Sequence, residues 1–86
     1  NTYNIPEGAS ATYAISTVSG LTATDKGRVI TLNGLGSSNA ATIADNTSFI
    51  MEDGATWTAK AGSQISFRVL DPTTLVEIQG SRIQTA

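Results

Sequence analysis

The sequence contains neither cysteine nor histidine. Without cysteine the chain cannot form a disulfide, and without both residues it lacks the usual ligands for zinc and other soft metals. The commonest general base and the most reactive nucleophile are missing for the same reason. The 7 acidic residues fall mainly in segments that read as turns, where aspartate ordinarily bonds to the backbone. We therefore expect no catalytic residue, no metal site, no cofactor and no enzymatic activity.

Charge and long apolar runs are also scarce. Charged residues make up 14 % of the chain, and the net charge is −2. The 5 basic residues are scattered along the sequence and form no basic patch, which argues against nucleic-acid binding. No apolar run approaches the roughly 20 residues that a membrane-spanning helix needs, so we expect no membrane insertion.

The chain is short enough for its stability to matter. Its 86 residues make one small domain, residues 1–86, with an extended lead-in at residues 1–10 and a short tail at residues 83–86. A chain of this length buries only about 60–65 % of its unfolded surface, so a monomer would be marginally stable. Small domains usually gain stability from disulfides, metals or oligomerisation. Since the residue types for the first two are missing, we expect oligomerisation.

Alternating apolar and polar residues, separated by turn signals, run through most of the chain. Turn residues recur about every 8–12 positions, the spacing typical of an all-β sandwich or barrel. The pair Asn33-Gly34 predicts a tight turn, residues 52–54 a hairpin connection, and Pro72 a break in the ladder. The predicted strands cover residues 12–18, with a short helix as the alternative there, 28–32, 41–44, 47–51, 55–60, 63–70 and 74–79. We expect an all-β fold of short antiparallel strands in a meander, sandwich or β-prism-like arrangement.

Residues 54–82 carry the most regular alternation and supply the predicted core. In residues 63–70 every second side chain is apolar, which indicates one buried face. Trp57 lies between small residues on its strand face, and these leave room for its ring. The side chains that we expect in the core and in the contact between chains are Trp57, Ile65, Phe67, Val69, Val76 and Ile78.

Several predicted strands carry apolar residues on both faces. Val29, Ile50 and Leu75 lie opposite the more apolar face of their strands, whereas a sheet with one wet face would alternate more cleanly. A second chain that covers this face would explain the pattern, although one exposed Val or Ile in a strand is also normal. The small size of the chain favours the oligomer.

The strand RVITL and a Gly/Ser/Asn loop precede the segment ATIADNTSFIMEDGATWTAKAGSQISFRVLDPTTLVEIQGSR. This order of motifs, in residues 39–82, resembles the small trimeric domains near the C-termini of bacteriophage tail spikes and tail fibres. Leu75 stands where the family pattern usually has Trp, and Asn46 where it often has Gly. The matching positions are Ile43, Asn46-Thr47, Phe49, Gly54-Ala55, Ala61-Gly62, Ile65, Phe67, Glu77 and Ser81-Arg82.

The resemblance implies a homotrimer in the virion tail, extracellular when assembled, whose fold is completed by trimerisation. Its expected function is non-enzymatic: trimerisation, binding of a host-surface glycan or receptor, or both. Glu77 and Arg82 are candidates for a charge pair that sets the register of the chains. Two alternatives are a monomeric glycan-binding β-sandwich that uses loops such as residues 33–39, and a structural capsid-decoration protein.

Overall fold

The computed structural model describes residues 2–8 and 13–85, and these residues form an all-β fold, as predicted. Two short 3-10 turns, Ala23–Asp25 and Glu52–Gly54, interrupt the strands. No helix of the described part is long and apolar enough to cross a membrane. The strands are β1 (Thr2–Ile5), β2 (Val29–Gly34), β3 (Thr42–Ile43), β4 (Phe49–Ile50), β5 (Trp57–Thr58), β6 (Gln64–Asp71) and β7 (Thr74–Glu77).

The strands form two sheets. A five-stranded sheet has the order β1-β2-β6-β7-β4, and β3 pairs with β5 in a two-stranded sheet. Strand β6 is antiparallel to both β2 and β7, whereas the pairs β1–β2 and β4–β7 are parallel. The prediction of antiparallel strands alone is therefore wrong at both edges of the larger sheet. The predicted meander is also wrong, since the consecutive strands β4 and β5 join different sheets.

Side chains near the turn at residues 52–54 explain why β4 and β5 do not form a hairpin. The Met51 backbone N–H donates to the Asp45 carboxylate at 2.8 Å, and the Glu52 N–H donates to the Glu77 carboxylate at 2.8 Å. A hairpin would bond this stretch of backbone to β5 instead. The predicted hairpin connection is thus a 3-10 turn that leads from one sheet to the other.

The two sheets share one hydrophobic core. Ile65, Phe67 and Val69 of β6 are 0 %, 0 % and 1 % exposed, and Trp57 of β5 is 0 % exposed. The rings of Phe49 and Phe67 meet edge to face, with 5.7 Å between their centroids. The face of β6 that lines the core is the one that the alternation in the sequence predicts.

Strand β7 has the opposite orientation to the predicted one. Leu75 pairs directly with Val69, and directly paired residues share one face of a sheet. Leu75 therefore lies in the core at 4 % exposure, and Glu77, on the same face, is 7 % exposed. The prediction that Val76 and Ile78 form the core is wrong within the chain, because both are half-buried on the outer side of the sheet.

The predicted lead-in contains strand β1. Residues 2–5 pair in parallel with β2, which places Tyr3 beside Leu32. Glu7 then forms a bridge with Ala40, so the end of this segment is also fastened to the fold. Residues 1, 9 and 10 of the predicted lead-in lie outside the described residues.

Residues 13–18 do not form the predicted strand or the alternative helix. A single bridge, between Ala14 and Thr42, is the only ladder contact recorded in this described stretch. Ile15 and Val18 nevertheless pack against the core as partly buried side chains. The β-branched side chains of this segment therefore reach the core although the segment forms no strand. Thr12, the first residue of that prediction, lies outside the described residues.

The pair Asn33-Gly34 ends β2 and does not form the predicted turn. A Cβ added to Gly34 would lie 2.4 Å from the carbonyl carbon of Ala59, so only glycine lets the two backbones pass. The next glycine in the sequence, Gly36, donates its N–H to the Ala59 carbonyl at 2.9 Å. Gly34 and Gly36 therefore lie where the chain at the end of β2 passes close to the backbone of Ala59.

Candidate functional site

The outer face of the five-stranded sheet carries exposed apolar side chains. Direct pairing places Val29, Arg68, Val76 and Ile50 side by side across β2, β6, β7 and β4. Val29 is 46 % exposed, Ile50 is 42 % exposed, and Leu70 on β6 is 41 % exposed. We call these five side chains the outer row. The apolar members of the outer row are therefore exposed to solvent on one face of the sheet, whereas the opposite face is buried in the core.

The neighbouring part of the outer face is polar and bonded internally. The hydroxyl groups of Thr31 and Ser66 lie 2.9 Å apart across β2 and β6. The Gln64 side-chain amide donates to the Asn33 side-chain oxygen at 2.9 Å. Because these groups bond to one another, the apolar surface is concentrated at the end of the sheet that carries the outer row.

Arg68 is the one charged member of the outer row, and it is exposed. In the part of the chain that the structure describes, no carboxylate lies within ion-pair distance of its guanidinium. Arg28 and Arg82, by contrast, pair with Asp25 and Glu77. Arg68 therefore presents an uncompensated positive charge among apolar side chains.

The predicted charge pair forms within one chain. The Nη2 and Nε groups of Arg82 donate to the two carboxylate oxygens of Glu77 at 2.7 and 3.0 Å. The Glu77 side chain is 0 % exposed and the Arg82 side chain is 21 % exposed. Arg82 also donates to the backbone carbonyls of Ala55 at 2.8 Å and Thr56 at 3.2 Å. The pair thus fastens the chain after β7 to the residues that lead into β5.

The predicted short tail is held against β5. Gln84 bonds to the backbone N–H and carbonyl of Thr58 at 2.8 and 2.9 Å. The indole N–H of Trp57 donates to the carbonyl of Ile83 at 3.3 Å. Residue 86, the last of the tail, lies outside the described residues. Through these bonds the tail fixes the position of the largest core side chain.

The loop considered for glycan binding uses its polar groups within the chain. The Glu7 carboxylate accepts hydrogen bonds from the Ser37 hydroxyl at 2.7 Å and from the backbone N–H groups of Ser37 at 3.0 Å and Asn39 at 2.6 Å. These bonds, that of the Ser37 hydroxyl first, lower the pKa of Glu7 below its ordinary value. The loop is therefore occupied by a carboxylate of its own chain.

Several depressions of the described surface are small. Three depressions measure about 240, 250 and 270 Å³, below the roughly 300–1,000 Å³ of typical small-molecule pockets. No group of three Asp or Glu side chains in residues 2–8 and 13–85 lies close enough together to hold a metal ion. The outer row is therefore the strongest candidate for a functional surface.

The predicted site residues divide between the core and the outer face. Trp57, Ile65, Phe67 and Val69 lie in the core, whereas Val76 lies in the outer row and Ile78 beside it. Arg68 and Leu70 are not among the predicted site residues. The alternation of β6 places Arg68 opposite its core face, so the sequence did contain the pattern that identifies it. Leu70 lies at the register shift between Val69 and Asp71, which alternation alone does not predict.

No family model matches the chain, and no curated protein and no solved structure is similar enough to count as a match. The family resemblance therefore stays a prediction from the sequence.

Proposed function

We propose that this chain is a non-enzymatic assembly domain of a bacteriophage tail spike or tail fibre, in which three copies associate through the outer row. The observation that carries the proposal is the exposed apolar surface of that row. Val29 and Ile50 are 46 % and 42 % exposed and lie on the same face of one sheet, and Leu70, at the register shift of β6, is 41 % exposed. Exposed apolar side chains that are grouped on one surface, unlike scattered single ones, often mark an interaction site.

The size of the chain supports association. A chain of 86 residues without a disulfide buries a smaller fraction of its surface than larger domains do. Each Å² of apolar surface that a second copy covers contributes about 25 cal/mol. Association would therefore stabilise each fold as well as join the copies.

The resemblance in residues 39–82 supports the assignment to a phage tail. Residues that carry it hold important positions in this fold: Phe67 is in the core, and Glu77 and Arg82 form the buried pair. Such a domain would act in the virion tail, outside the host cell. It would hold the chains in register, contact a host-surface receptor, or do both.

The two alternatives use different surfaces. A monomeric glycan-binding module would need the polar groups of residues 33–39, but Ser37 already bonds to Glu7 and Asn33 to Gln64. A capsid-decoration protein would use the same outer row and differ only in its place on the particle. Gold labelling of virions separates tail from capsid.

The test of assembly is the molar mass in solution, measured by light scattering after size exclusion at several protein concentrations. We expect the mass of three chains. Ile50→Asp and Val76→Asp should each shift the mass towards one chain, because each places a charge in the outer row. Thr17→Asp, a matched control at an exposed residue outside both sheets, should leave the mass unchanged. A mass of one chain at every concentration contradicts the proposal, and glycan binding by such a monomer would favour the alternative.

A further inference from the structure

We infer that the outer row of one copy receives the turn at residues 52–54 of a second copy, with Asp53 paired to Arg68. The inference rests on the proposed assembly and specifies the contact that forms it. It is carried by two oppositely charged side chains that have no charged partner in the described part of their own chain, and by the symmetry that three copies require.

Asp53 is the acid without a partner. Within the described residues, its carboxylate alone among those of the acidic side chains makes neither a hydrogen bond nor an ion pair. Asp53 is exposed, and its φ of 54° is a left-handed conformation that glycine adopts with less strain. An acid here therefore contributes little to its own fold. The acids that accept hydrogen bonds are Glu7, Asp25, Asp45, Glu52, Asp71 and Glu77.

Arg68 is the matching cation. Its guanidinium has no carboxylate partner among the described residues, and its position in the sheet is between Val29 and Val76. Lys26 and Lys60, which also lack an ion pair in the described chain, lie outside the strands of the five-stranded sheet. Arginine is enriched at interfaces between proteins, because its planar head pairs with a carboxylate while its stem packs on apolar groups.

Three-fold symmetry requires two different, complementary patches on each chain, since each copy contacts its neighbours head to tail. The outer row, which contains Arg68, and the turn, which contains Asp53, are such a pair of patches. Two outer rows that met across a two-fold axis at Arg68 would bring like charges together. Ile50, at the β4 end of the outer row, shortly precedes Asp53 in the sequence, so the two patches are joined by a short stretch of chain.

Charge reversal tests the pairing. Asp53→Arg and Arg68→Glu each place like charges at the contact, and each should raise the dissociation constant of the assembly at least about tenfold. The double variant exchanges the two charges and should return the constant to within about threefold of the original value. Asp53→Asn removes only the charge, because asparagine tolerates the left-handed backbone equally well, and should raise the constant about two- to fivefold.

Two controls keep the result interpretable. Lys26→Glu reverses an exposed cation outside the outer row and should leave the dissociation constant unchanged. Circular dichroism of each variant establishes that it folds. Folded single variants that assemble as well as the original, or a folded double variant that does not recover, overturn the pairing but leave the proposed assembly in place. A mass of two chains overturns the head-to-tail arrangement, and a monomer at every concentration overturns both proposals.

Discussion

Replacing Arg82 with methionine should destabilise the fold strongly. Methionine keeps much of the aliphatic stem but removes the guanidinium that neutralises Glu77. The Glu77 side chain is 0 % exposed, so the variant leaves a buried carboxylate whose remaining donor is the Glu52 N–H. Removing one partner of a buried ion pair typically costs about 3–5 kcal/mol. Because the Arg82 side chain is 21 % exposed, water reaches part of the site, and we expect the lower end of that range, about 3 kcal/mol.

Trp57 provides the assay for this prediction. It is the single Trp and is 0 % exposed, so its fluorescence reports the loss of the core during unfolding in urea. In thermal unfolding of a domain of this size, each 1 kcal/mol of lost stability lowers the melting temperature by about 4–8 °C. Arg82→Met should therefore melt at least about 12 °C below the original protein. All variants should be compared at one protein concentration, because association adds to apparent stability.

Arg28→Met is the matched control within the same chain. The Arg28 guanidinium lies 3.2 Å from the Asp25 carboxylate, but its side chain is 51 % exposed. Exposed pairs contribute about 0–1 kcal/mol, so this variant should lose less than about 1 kcal/mol. Equal losses at the two arginines would refute the reasoning that burial makes the Glu77 pair costly to break. A double-mutant cycle of Glu77→Gln and Arg82→Met without coupling energy would refute the interaction itself.

Three further predictions concern other parts of the fold, each measured by urea unfolding. Leu75→Ala should cost about 2–4 kcal/mol and Val76→Ala under about 1 kcal/mol, because only Leu75 lies in the core; the reverse order would contradict the orientation of β7. Gly34→Ala should cost several-fold more than Gly20→Ala, which we expect to cost about 1 kcal/mol. The reason is that a Cβ at Gly34 meets backbone at 2.4 Å, whereas at Gly20 nothing lies within 4 Å; similar losses would show that the backbones can separate. The lowered pKa of Glu7 contributes stability that is present above its ordinary value of 4.5 and is lost as the pH falls through the lowered pKa. Glu7→Gln should remove this part of the loss of stability at acid pH. Parallel plots of the free energy of unfolding against pH for the two proteins would contradict the role of this carboxylate.

Strand β6 could be predicted from the sequence because its two faces differ in polarity. Ile65, Phe67 and Val69 alternate with more polar neighbours, so local periodicity alone defines the buried face. Strand β1 has no such contrast, since Thr2–Ile5 lies at the sheet edge and is joined to β2 by backbone pairing. An edge strand of this kind buries few side chains and leaves little hydrophobic pattern in the sequence.

The orientation of β7 could not be predicted from its own residues. Periodicity places the charged Glu77 in water and, by alternation, Val76 and Ile78 in the core. The fold reverses this because Arg82, beyond the end of the strand, neutralises Glu77 in the interior. The same contact includes the N–H of Glu52, which is distant in the sequence. The hydrophobic pattern of one strand gives no information about partners that lie outside that strand.

The outer row was only partly predictable for a related reason. Apolar residues on both faces of the predicted strands do indicate Val29 and Ile50. An outward arginine on a strand is ordinary, however, and although Arg82 is a predicted partner of Glu77, nothing in the sequence shows that Arg68 lacks an ion pair in the described chain. Which charges are neutralised within the chain is a property of the folded structure. The proposed roles of Arg68 and Asp53 therefore depend on the folded structure, in which the other acids of the described residues already accept hydrogen bonds.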